Sequence, residues 1–424
     1  MNLVEKNLLK LGPLGIHAHY AHGYFAYPKL EGEIGNRMIF NGREKLVWSL
    51  NDYLGLANDP LVRRADEEGT RQYGLAYPMG ARMMTGNTIL HEMLEAKLSS
   101  FVKKEDTFLL NYGYQGMLSI IDSLLDRHDV VVYDAEAHAC IIDGLRLHIG
   151  KRFVFKHNDI ADFEKQLIRA QKITKKTNGG ILVITEGVFG MRGDTGKIRE
   201  IIGFKKKFDF TLLVDDAHGI GVMGQSGAGT GEEQGIQEEI DLYFATFAKS
   251  FAAIGAFVSG KKEIIQYLRY NMRSQIYAKA LPMPLVYGLH QRLRMIREMP
   301  ELRERLWNIT KKLQNGLREA GLEIGNTESP VTPVYLKGSI TQAANLVRDL
   351  RENHDIFCSM VVYPVVPHGI IILRLIPTAN HSEEEVTETV AIFKNINSKL
   401  GGGFYDQERK APENITGELA VHHP

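Results

Sequence analysis

The chain has 424 residues, of which 44% are hydrophobic and 24% are charged, values typical of a globular protein large enough for two domains. Lysine plus arginine and aspartate plus glutamate both number 51, so bulk charge gives no indication of a nucleic-acid partner. Cys140 and Cys358 are the only cysteines, too few for a disulfide framework, and we predict no bound metal. Because no apolar run is long enough for a signal peptide or a membrane span, we expect a cytoplasmic protein.

The first 60 residues are rich in glycine, proline, histidine and tyrosine and show little helical periodicity. We therefore predict an extended N-terminal arm over residues 1–60, followed by a large domain over 61–285. Within the large domain, seven short apolar runs alternate with amphipathic stretches. This alternation predicts an α/β fold with a mostly parallel seven-stranded sheet and helices on both faces. The strand candidates are residues 107–111, 130–134, 153–157, 181–187, 211–216, 242–247 and 256–260.

A smaller α+β C-terminal domain is predicted over residues 286–400. One long helical segment, 284–320, leads into it, and its strands are expected in "VTPVYL", "SMVVYPV" and "IIILRLIP". Ser382 and Glu385 form a capping-box pattern at the start of its last helix. Residues 401–424 have the composition of a flexible tail.

Polar side chains follow several predicted strands of the large domain. Asp215 ends one strand and His218 comes three residues later; Lys249 follows the next strand, and His138 follows the strand at 130–134. Singly, each has an ordinary structural explanation, such as a turn-forming aspartate or a hydrogen-bonded core histidine. Together they place a carboxylate, two imidazoles and an amine at the edge of the sheet where ligands bind in such folds.

An amine among apolar residues loses solvation of its charged form, which lowers its pKa and favours reaction with a carbonyl. Pyridoxal phosphate is the common aldehyde cofactor for such lysines. The ring nitrogen of this cofactor needs a carboxylate, which Asp215 could supply. The ring face needs a flat partner, a role that suits His138, and the phenolate oxygen needs a hydrogen-bond donor, a role that suits His218. The glycine-containing "NYGYQGM", between a strand and a helix, suits the phosphate.

Eight segments in the same order resemble the α-oxoamine synthases, fold-type-I pyridoxal-phosphate enzymes that condense an amino acid with an acyl thioester. The resemblance covers roughly residues 45–400. The segments are "SLNDYLGLAND", "GARMMTGNTILHEMLE", "NYGYQG", "DAEAHACIIDGLRL", "TEGVFGMRGD", "VDDAHGIGVMGQSGAGT", "TFAKS" and "LRLIPTANH".

The resemblance implies roles for individual residues. Lys249 corresponds to the lysine that binds the cofactor covalently and acts as general base and acid. Asp215 corresponds to the partner of the ring nitrogen, His218 to that of the phenolate oxygen, and His138 to the residue stacked on the ring. The phosphate is expected at Gly113, Tyr114 and Thr246. The substrate is expected at Asn51, Arg374 and Arg82.

Three segments depart from the family pattern. Ala248 stands where relatives often carry serine, and "IYAKALP" stands where they often carry a Ser/Thr pair, so we expect Lys279 to supply the missing phosphate contact. In "FGMRGD", Gly190 replaces a hydroxyl-bearing residue and Arg192 an acidic one.

The resemblance is closest to the lipid-base branch, and within it to the cysteate acyltransferases of sulfonolipid synthesis. It implies a decarboxylating Claisen-type condensation of cysteate with a long-chain acyl thioester carried by acyl carrier protein or coenzyme A. Alternatives are a serine palmitoyltransferase, then a glycine C-acetyltransferase, and, in a different class, a non-catalytic module that binds pyridoxal phosphate. A homodimer is expected from the family, with transient membrane-surface contact for a lipid product.

Overall fold

The computed structural model describes residues 1–10, 12–15, 18–363 and 369–406. Its strands are β1 Leu30–Glu31, β2 Arg37–Phe40, β3 Arg43–Val47, β4 Asp106–Leu110, β5 Val130–Asp134, β6 Lys151–Phe155, β7 Ile181–Glu186, β8 Thr211–Asp215, β9 Leu242–Thr246, β10 Ala256–Gly260, β11 Thr332–Lys337, β12 Ile356–Phe357, β13 Ser359–Val361 and β14 Ile370–Leu375.

The α-helices are α1 Leu3–Leu8, α2 Gly12–Gly15, α3 Ala18–Ala21, α4 Pro60–Tyr73, α5 Ile89–Phe101, α6 Gly113–Leu124, α7 Ala139–Leu147, α8 Ile160–Thr177, α9 Ile198–Gly203, α10 Thr230–Glu233, α11 Lys262–Asn271, α12 Arg273–Ile276, α13 Met283–Glu298, α14 Pro300–Glu319, α15 Ile340–Asn353 and α16 Glu383–Gly401. Short 3-10 turns lie at Leu56–Asn58, Phe204–Lys206 and Gln237–Glu239. Among the described residues, no helix is both long and apolar enough to cross a bilayer.

The chain divides into two compact units. The large unit comprises Asn51–Trp307 and Asn326–Pro330, and the small unit comprises Met1–Leu50, Asn308–Gly325 and the described residues from Val331 onward. The division differs most from the predicted boundaries at the N-terminus. There, β1, β2 and β3 form antiparallel pairs, and β3 pairs in parallel with β12. Residues 30–47 are therefore strands of the small unit's sheet rather than part of a separate arm.

The large unit is built on a seven-stranded sheet in the order β4-β10-β9-β8-β7-β5-β6. All seven predicted strands are present, and the mostly parallel fold is confirmed. β10 alone is antiparallel to its two neighbours, β4 and β9. The parallel strands β5, β7, β8 and β9 consequently end at the same edge, which is where the predicted polar residues lie.

Burial of apolar side chains on the sheet explains its stability. One buried cluster joins the sheet to three helices, α6, α7 and α11, through residues that include Val131, Ile184, Leu213, Ile120 and Ile141. Elsewhere on the sheet, Phe163 of α8 packs edge-on against Phe155 of β6, with ring centroids 5.1 Å apart. Each such fully buried side chain contributes about 1.5–3 kcal/mol relative to exposure.

The predicted helix over 284–320 is two helices, α13 and α14, separated at Met299. Pro300 has no backbone N–H and its ring disfavours helical conformation in the preceding residue. Met299 accordingly has φ −119° and ψ 70°. The single-helix prediction is wrong at this point for that reason.

The small unit contains an antiparallel sheet in the order β11-β14-β13. The three predicted strands are present, but β13 ends at Val361, and Pro364 and Val365 of "SMVVYPV" lie outside the described residues. The predicted capping box forms, since the Ser382 side chain accepts the N–H of Glu385 and the Glu385 side chain accepts that of Ser382.

The predicted tail begins too early. Helix α16 continues to Gly401, and Tyr405 is fully buried, with its hydroxyl donating to Asp349 Oδ2 over 2.7 Å. Residues 401–406 are therefore part of the folded small unit. Residues 407–424 lie outside the described residues.

Candidate active site

The predicted catalytic residues lie at the carboxyl edge of the large sheet. Asp215 is the last residue of β8, Lys249 follows β9 by three residues, and His138 is the N-cap of α7. A tight turn follows Lys249, whose carbonyl accepts the N–H of Ala252 over 2.8 Å. The Asp215 carboxylate interacts electrostatically with both Lys249 and His138, so the structure brings these three residues together.

Asp215 is a deeply buried carboxylate. Burial raises its pKa, while electrostatic interactions with Lys249 and, to a lesser degree, His138 oppose that shift. Its Oδ1 accepts the N–H of Ala217 over 3.1 Å. Because an ionised carboxylate is costly to bury without a cationic partner, this side chain suits a protonated ring nitrogen.

Glu186 is a second buried carboxyl group at this edge and was missed by sequence reasoning. It is the register partner of Asp215 across β7 and β8, and its Oε1 accepts the backbone N–H of His138 over 2.6 Å. Burial and the charge of Asp215 raise the pKa of Glu186 well above its usual range. The signal available in the sequence was the strand-ending "TEG", which parallels "VDD".

His138 is held as a neutral imidazole. Its Nδ1 accepts the N–H of Cys140 over 3.3 Å. Burial lowers its pKa, and the positive charge of Lys249 adds to this, while Asp215 opposes it. The ring of Tyr114 lies edge-on to it, with centroids 6.2 Å apart. A neutral aromatic ring fixed in this way suits the predicted stacking role.

His218 lies on the loop after β8. Its Nδ1 is 2.7 Å from the Tyr53 hydroxyl, a partner that sequence reasoning missed. Gly190 approaches it closely, since a Cβ added there would lie 2.2 Å from His218 Nε2. The neighbouring Asp216 anchors the loop by accepting bonds from the N–H and hydroxyl of Thr230 and from the hydroxyl of Tyr243. His218 is thus tightly placed, and its predicted bond to the cofactor stays a prediction.

The predicted phosphate site lies at the start of α6 and stays a prediction. In the described structure the N-cap side chain, Tyr112, makes no capping bond, so the first helical N–H groups face an anion-binding position. A Cβ at Gly113 would lie 3.0 Å from Thr246 Oγ1. Thr246 Oγ1 donates to the carbonyl of Gly255 over 3.0 Å and accepts the N–H of Ala248 over 3.2 Å.

Two predicted cofactor residues are held by contacts of their own. The Tyr114 hydroxyl hydrogen-bonds to Asp143. Lys279 is exposed, and its carbonyl accepts the Asn111 side-chain N–H over 2.7 Å. Asn111 directly follows β4 and is separated from the start of α6 by one residue, Tyr112. Lys279 therefore lies close to the predicted phosphate site. Its contact with a phosphate stays a prediction.

The predicted substrate residues lie in different surroundings. Arg82 donates to both carboxylate oxygens of Glu95 over 2.9 and 3.0 Å and to Asn87 over 2.7 Å. These bonds favour a structural role over substrate contact. Asn51 is half-buried in the large unit, and Arg374 is buried in β14 of the small unit. Substrate binding by all three stays a prediction.

The residues present fit pyridoxal phosphate. A lysine amine, a buried carboxylate in need of a cation, a neutral imidazole and a helix start with glycine in place of a side chain match its aldehyde, ring and phosphate. Among the described residues, no group of three or more histidine, cysteine or acidic side chains is arranged to hold a metal ion.

Residues 43–393 match the family described as Aminotransferase class I and II. Cysteate-C-fatty acyltransferase of Capnocytophaga ochracea is 57% identical over 404 residues, which are 95% of this chain and 96% of that protein. Serine palmitoyltransferase of Bacteroides ovatus is 34% identical over 391 residues, 92% of this chain and 97% of that protein. The chain belongs to the α-oxoamine synthases, within this aminotransferase family.

Solved structures agree with this assignment. A serine palmitoyltransferase with pyridoxal phosphate is 27% identical and superposes with a TM-score of 0.86 over 95% of this chain and all of that one. Serine palmitoyltransferase of Sphingomonas wittichii gives 28% identity and a TM-score of 0.86 with the same coverage. This α-oxoamine synthase is therefore a fold-type-I acyltransferase whose cofactor is pyridoxal phosphate.

Proposed function

We propose that this α-oxoamine synthase condenses cysteate with a long-chain acyl thioester to give a sulfonated 3-keto amine. The observation that carries the proposal is the 57% identity to Cysteate-C-fatty acyltransferase over nearly the whole chain, against 34% to a serine palmitoyltransferase. The site is consistent with it, because Lys249, Asp215 and His138 are together at one edge of the sheet.

Pyridoxal phosphate, when bound, supplies an electron sink that makes the Cα proton of the amino acid acidic. Asp215 would hold its ring nitrogen, His138 its ring face, and the start of α6 its phosphate. Lys249 Nζ then takes the Cα proton as general base. This amine is available there because Lys249 follows β9, the strand paired with β8, which ends at Asp215. The same amine later returns a proton to Cα.

The overall reaction balances without an oxidant. A carbon–carbon bond forms between Cα and the acyl carbon as the carbon–sulfur bond of the thioester breaks, and the thiol leaves with a proton. The carboxylate of the amino acid leaves as CO₂, and Cα takes a proton in its place. The amine and the sulfonate of cysteate are unchanged in the product.

A sulfonate group favours cationic partners, and we consider two residues of the large unit as candidates. Arg192 Nε lies 3.4 Å from Asp194 Oδ2, with the side chain 43% exposed, two residues from the Gly190 that abuts His218. Lys279 is exposed beside Asn111. We assign both as candidate sulfonate or phosphate contacts, since charge-assisted bonds to such anions are stronger than neutral ones.

A homodimer is part of the proposal. The large unit has several exposed apolar residues in the stretch 75–89, near the segment that carries Lys279 and here called the apolar strip. They are Leu75, Tyr77, Met79, Met83, Met84 and Ile89. The two segments are joined by backbone bonds from Met283 to Tyr77 and from Ala280 to Gly80. Because exposed apolar side chains in such number mark interaction sites, we propose that a second copy covers them. A cytoplasmic location and an acyl carrier protein or coenzyme A donor complete the proposal.

A spectral titration of the purified holoenzyme tests the substrate. Cysteate is expected to change the visible absorption of the bound cofactor at lower concentration than serine, glycine or alanine. A response to serine with none to cysteate would contradict the proposal and favour a serine palmitoyltransferase. A response to amino acids with no turnover of any acyl thioester would favour a non-catalytic module.

A further inference from the structure

We propose that Cys140 is a positioning residue of this active site. Its side chain fixes the ring of His138 and packs against the carboxylate of Asp215. Cys140 is the second residue of α7 and its side chain is buried. The proposal concerns the cofactor chemistry of the family and does not depend on which amino acid is the substrate.

The contact with His138 sets the hydrogen-bonding state of its ring. Cys140 Sγ lies 3.0 Å from His138 Nδ1, and the Cys140 N–H donates to the same nitrogen over 3.3 Å. Nδ1 is therefore an acceptor, and the neutral ring carries its proton on Nε2. Glu186 holds the backbone N–H of His138 over 2.6 Å, so this residue is fixed at both its main chain and its ring.

The same thiol faces the carboxylate that would hold the ring nitrogen. Cys140 Sγ lies 4.0 Å from Asp215 Oδ2, within reach of a weak S–H donor. The other oxygen, Oδ1, accepts the N–H of Ala217. Cys140 thus contacts both His138, at the N-cap of α7, and Asp215, at the end of β8, two residues that would act on different parts of the cofactor ring.

The thiol acts as a neutral donor and not as a nucleophile. Burial raises the pKa of Cys140 well above its usual range, and the acidic side chains of Asp215 and Glu186 raise it further. A thiolate is the reactive form of cysteine, and this environment disfavours it. What remains is shape and a weak hydrogen bond, both of which act through His138 and Asp215.

Replacement at position 140 separates positioning from simple packing. Cys140→Ser keeps a short hydroxyl donor, and its kcat is expected to stay within about twofold of the wild type. Cys140→Ala removes both the weak donor and the bulk of the sulfur atom, and we expect kcat to fall about fivefold, within the range for loss of one hydrogen bond, with little change in KM for the amino acid. Cys358→Ala, at the buried cysteine of the small unit, is the matched control and should leave kcat unchanged.

A second readout reports the ring itself. In ¹⁵N-histidine spectra of the holoenzyme, the His138 Nδ1 resonance should shift in Cys140→Ala and return towards the wild-type position in Cys140→Ser. In a His138→Ala background, Cys140→Ala should lower kcat by a smaller factor than it does in the wild type. Equal losses of kcat in the serine and alanine variants with an unshifted His138 resonance, or full additivity with His138→Ala, would overturn the proposal.

Discussion

Burial dominates the electrostatics of the residues around Lys249. It raises the pKa of Asp215 and of Glu186, and it lowers that of His138. Two carboxyl groups on neighbouring strands cannot both be ionised cheaply in such a place. Burial and the charge of Asp215 favour the protonated form of Glu186, whose side chain accepts the backbone N–H of His138. Asp215 is the carboxylate that would match a cationic ring nitrogen.

Lys249→Ala removes the amine on which the mechanism depends. We expect loss of the visible band of the lysine-bound cofactor and a fall in kcat of at least about a thousandfold, in line with loss of a central catalytic group. Absorption spectra and a turnover assay measure both effects. Lys279→Ala, at an exposed lysine near the phosphate site, is the comparison and should keep the band. Full turnover by Lys249→Ala would contradict the mechanism.

Gly190→Ala tests the close approach of the loop to His218. A methyl group there would lie 2.2 Å from Nε2, so His218 or the loop must move, and we expect kcat to fall about tenfold or more. Gly203→Ala is the matched control, because a Cβ at that helical position meets nothing within 4 Å. Equal kcat values for the two variants would contradict this prediction, because they would show that the loop accepts a side chain at position 190 without displacing His218.

Residues that end apolar runs were predictable from the sequence, and this is how Asp215, His138 and Lys249 were found. Cys140, Glu186 and Tyr53 were not. Their importance comes from contacts with residues distant in the sequence, such as the 2.7 Å contact between Tyr53 and His218. A local sequence pattern does not predict which residues from other strand ends a side chain will contact.

At the scale of elements, the seven strands of the large sheet follow from runs of apolar residues, but strand direction does not. β10 has the same apolar character as its parallel neighbours yet runs antiparallel to β4 and β9. β12 has two residues, too few for a periodic signal, and it is defined by its pairing with β3. The break at Pro300 was visible in the sequence as a proline inside a helical pattern.

His157 ties the loop carrying Arg192 and Asp194 to the end of β5. Its Nδ1 lies 2.9 Å from Asp134 and its Nε2 2.8 Å from Asp194. Burial lowers its pKa, but hydrogen bonds and charge from Asp134 and Asp194 outweigh this and raise it to about 9. Because the folded pKa is above the usual value of about 6.5, the stabilisation is fully present below that value and is lost as pH rises through about 9.

His157→Asn should therefore lower the free energy of unfolding by about 2 kcal/mol at neutral pH. The difference from the wild type should shrink as pH rises from 7 to 10. Urea unfolding at several pH values measures it, with His128→Asn, at an exposed histidine, as control. A difference that stays constant across this range would contradict a charged His157.

At the scale of the whole molecule, the division into two units was foreseen only in outline. Composition suggested a separate arm over residues 1–60, whereas β1 to β3 belong to a sheet completed by β12, more than 300 residues later. Tyr405 likewise lies in a glycine-rich stretch typical of a tail but is buried against Asp349. Pairing between distant segments overrides local composition in both cases.

Assembly is tested by placing charge on the exposed apolar strip. The double variant Met79→Glu and Met84→Glu should turn a dimer into a monomer in light scattering and lower kcat, because charge at an apolar interface is costly to bury. Ile149→Glu, at another exposed apolar residue of the large unit, should do neither. A fully active wild-type monomer would contradict the proposed homodimer.

The most direct test of the central claim is turnover of purified holoenzyme with a long-chain acyl thioester and either cysteate or serine, with products identified by mass spectrometry. We predict a sulfonated 3-keto amine from cysteate, released with CO₂ and free thiol, at a kcat/KM well above that for serine. Preferred formation of the hydroxylated 3-keto amine from serine, with no product from cysteate, would contradict the account.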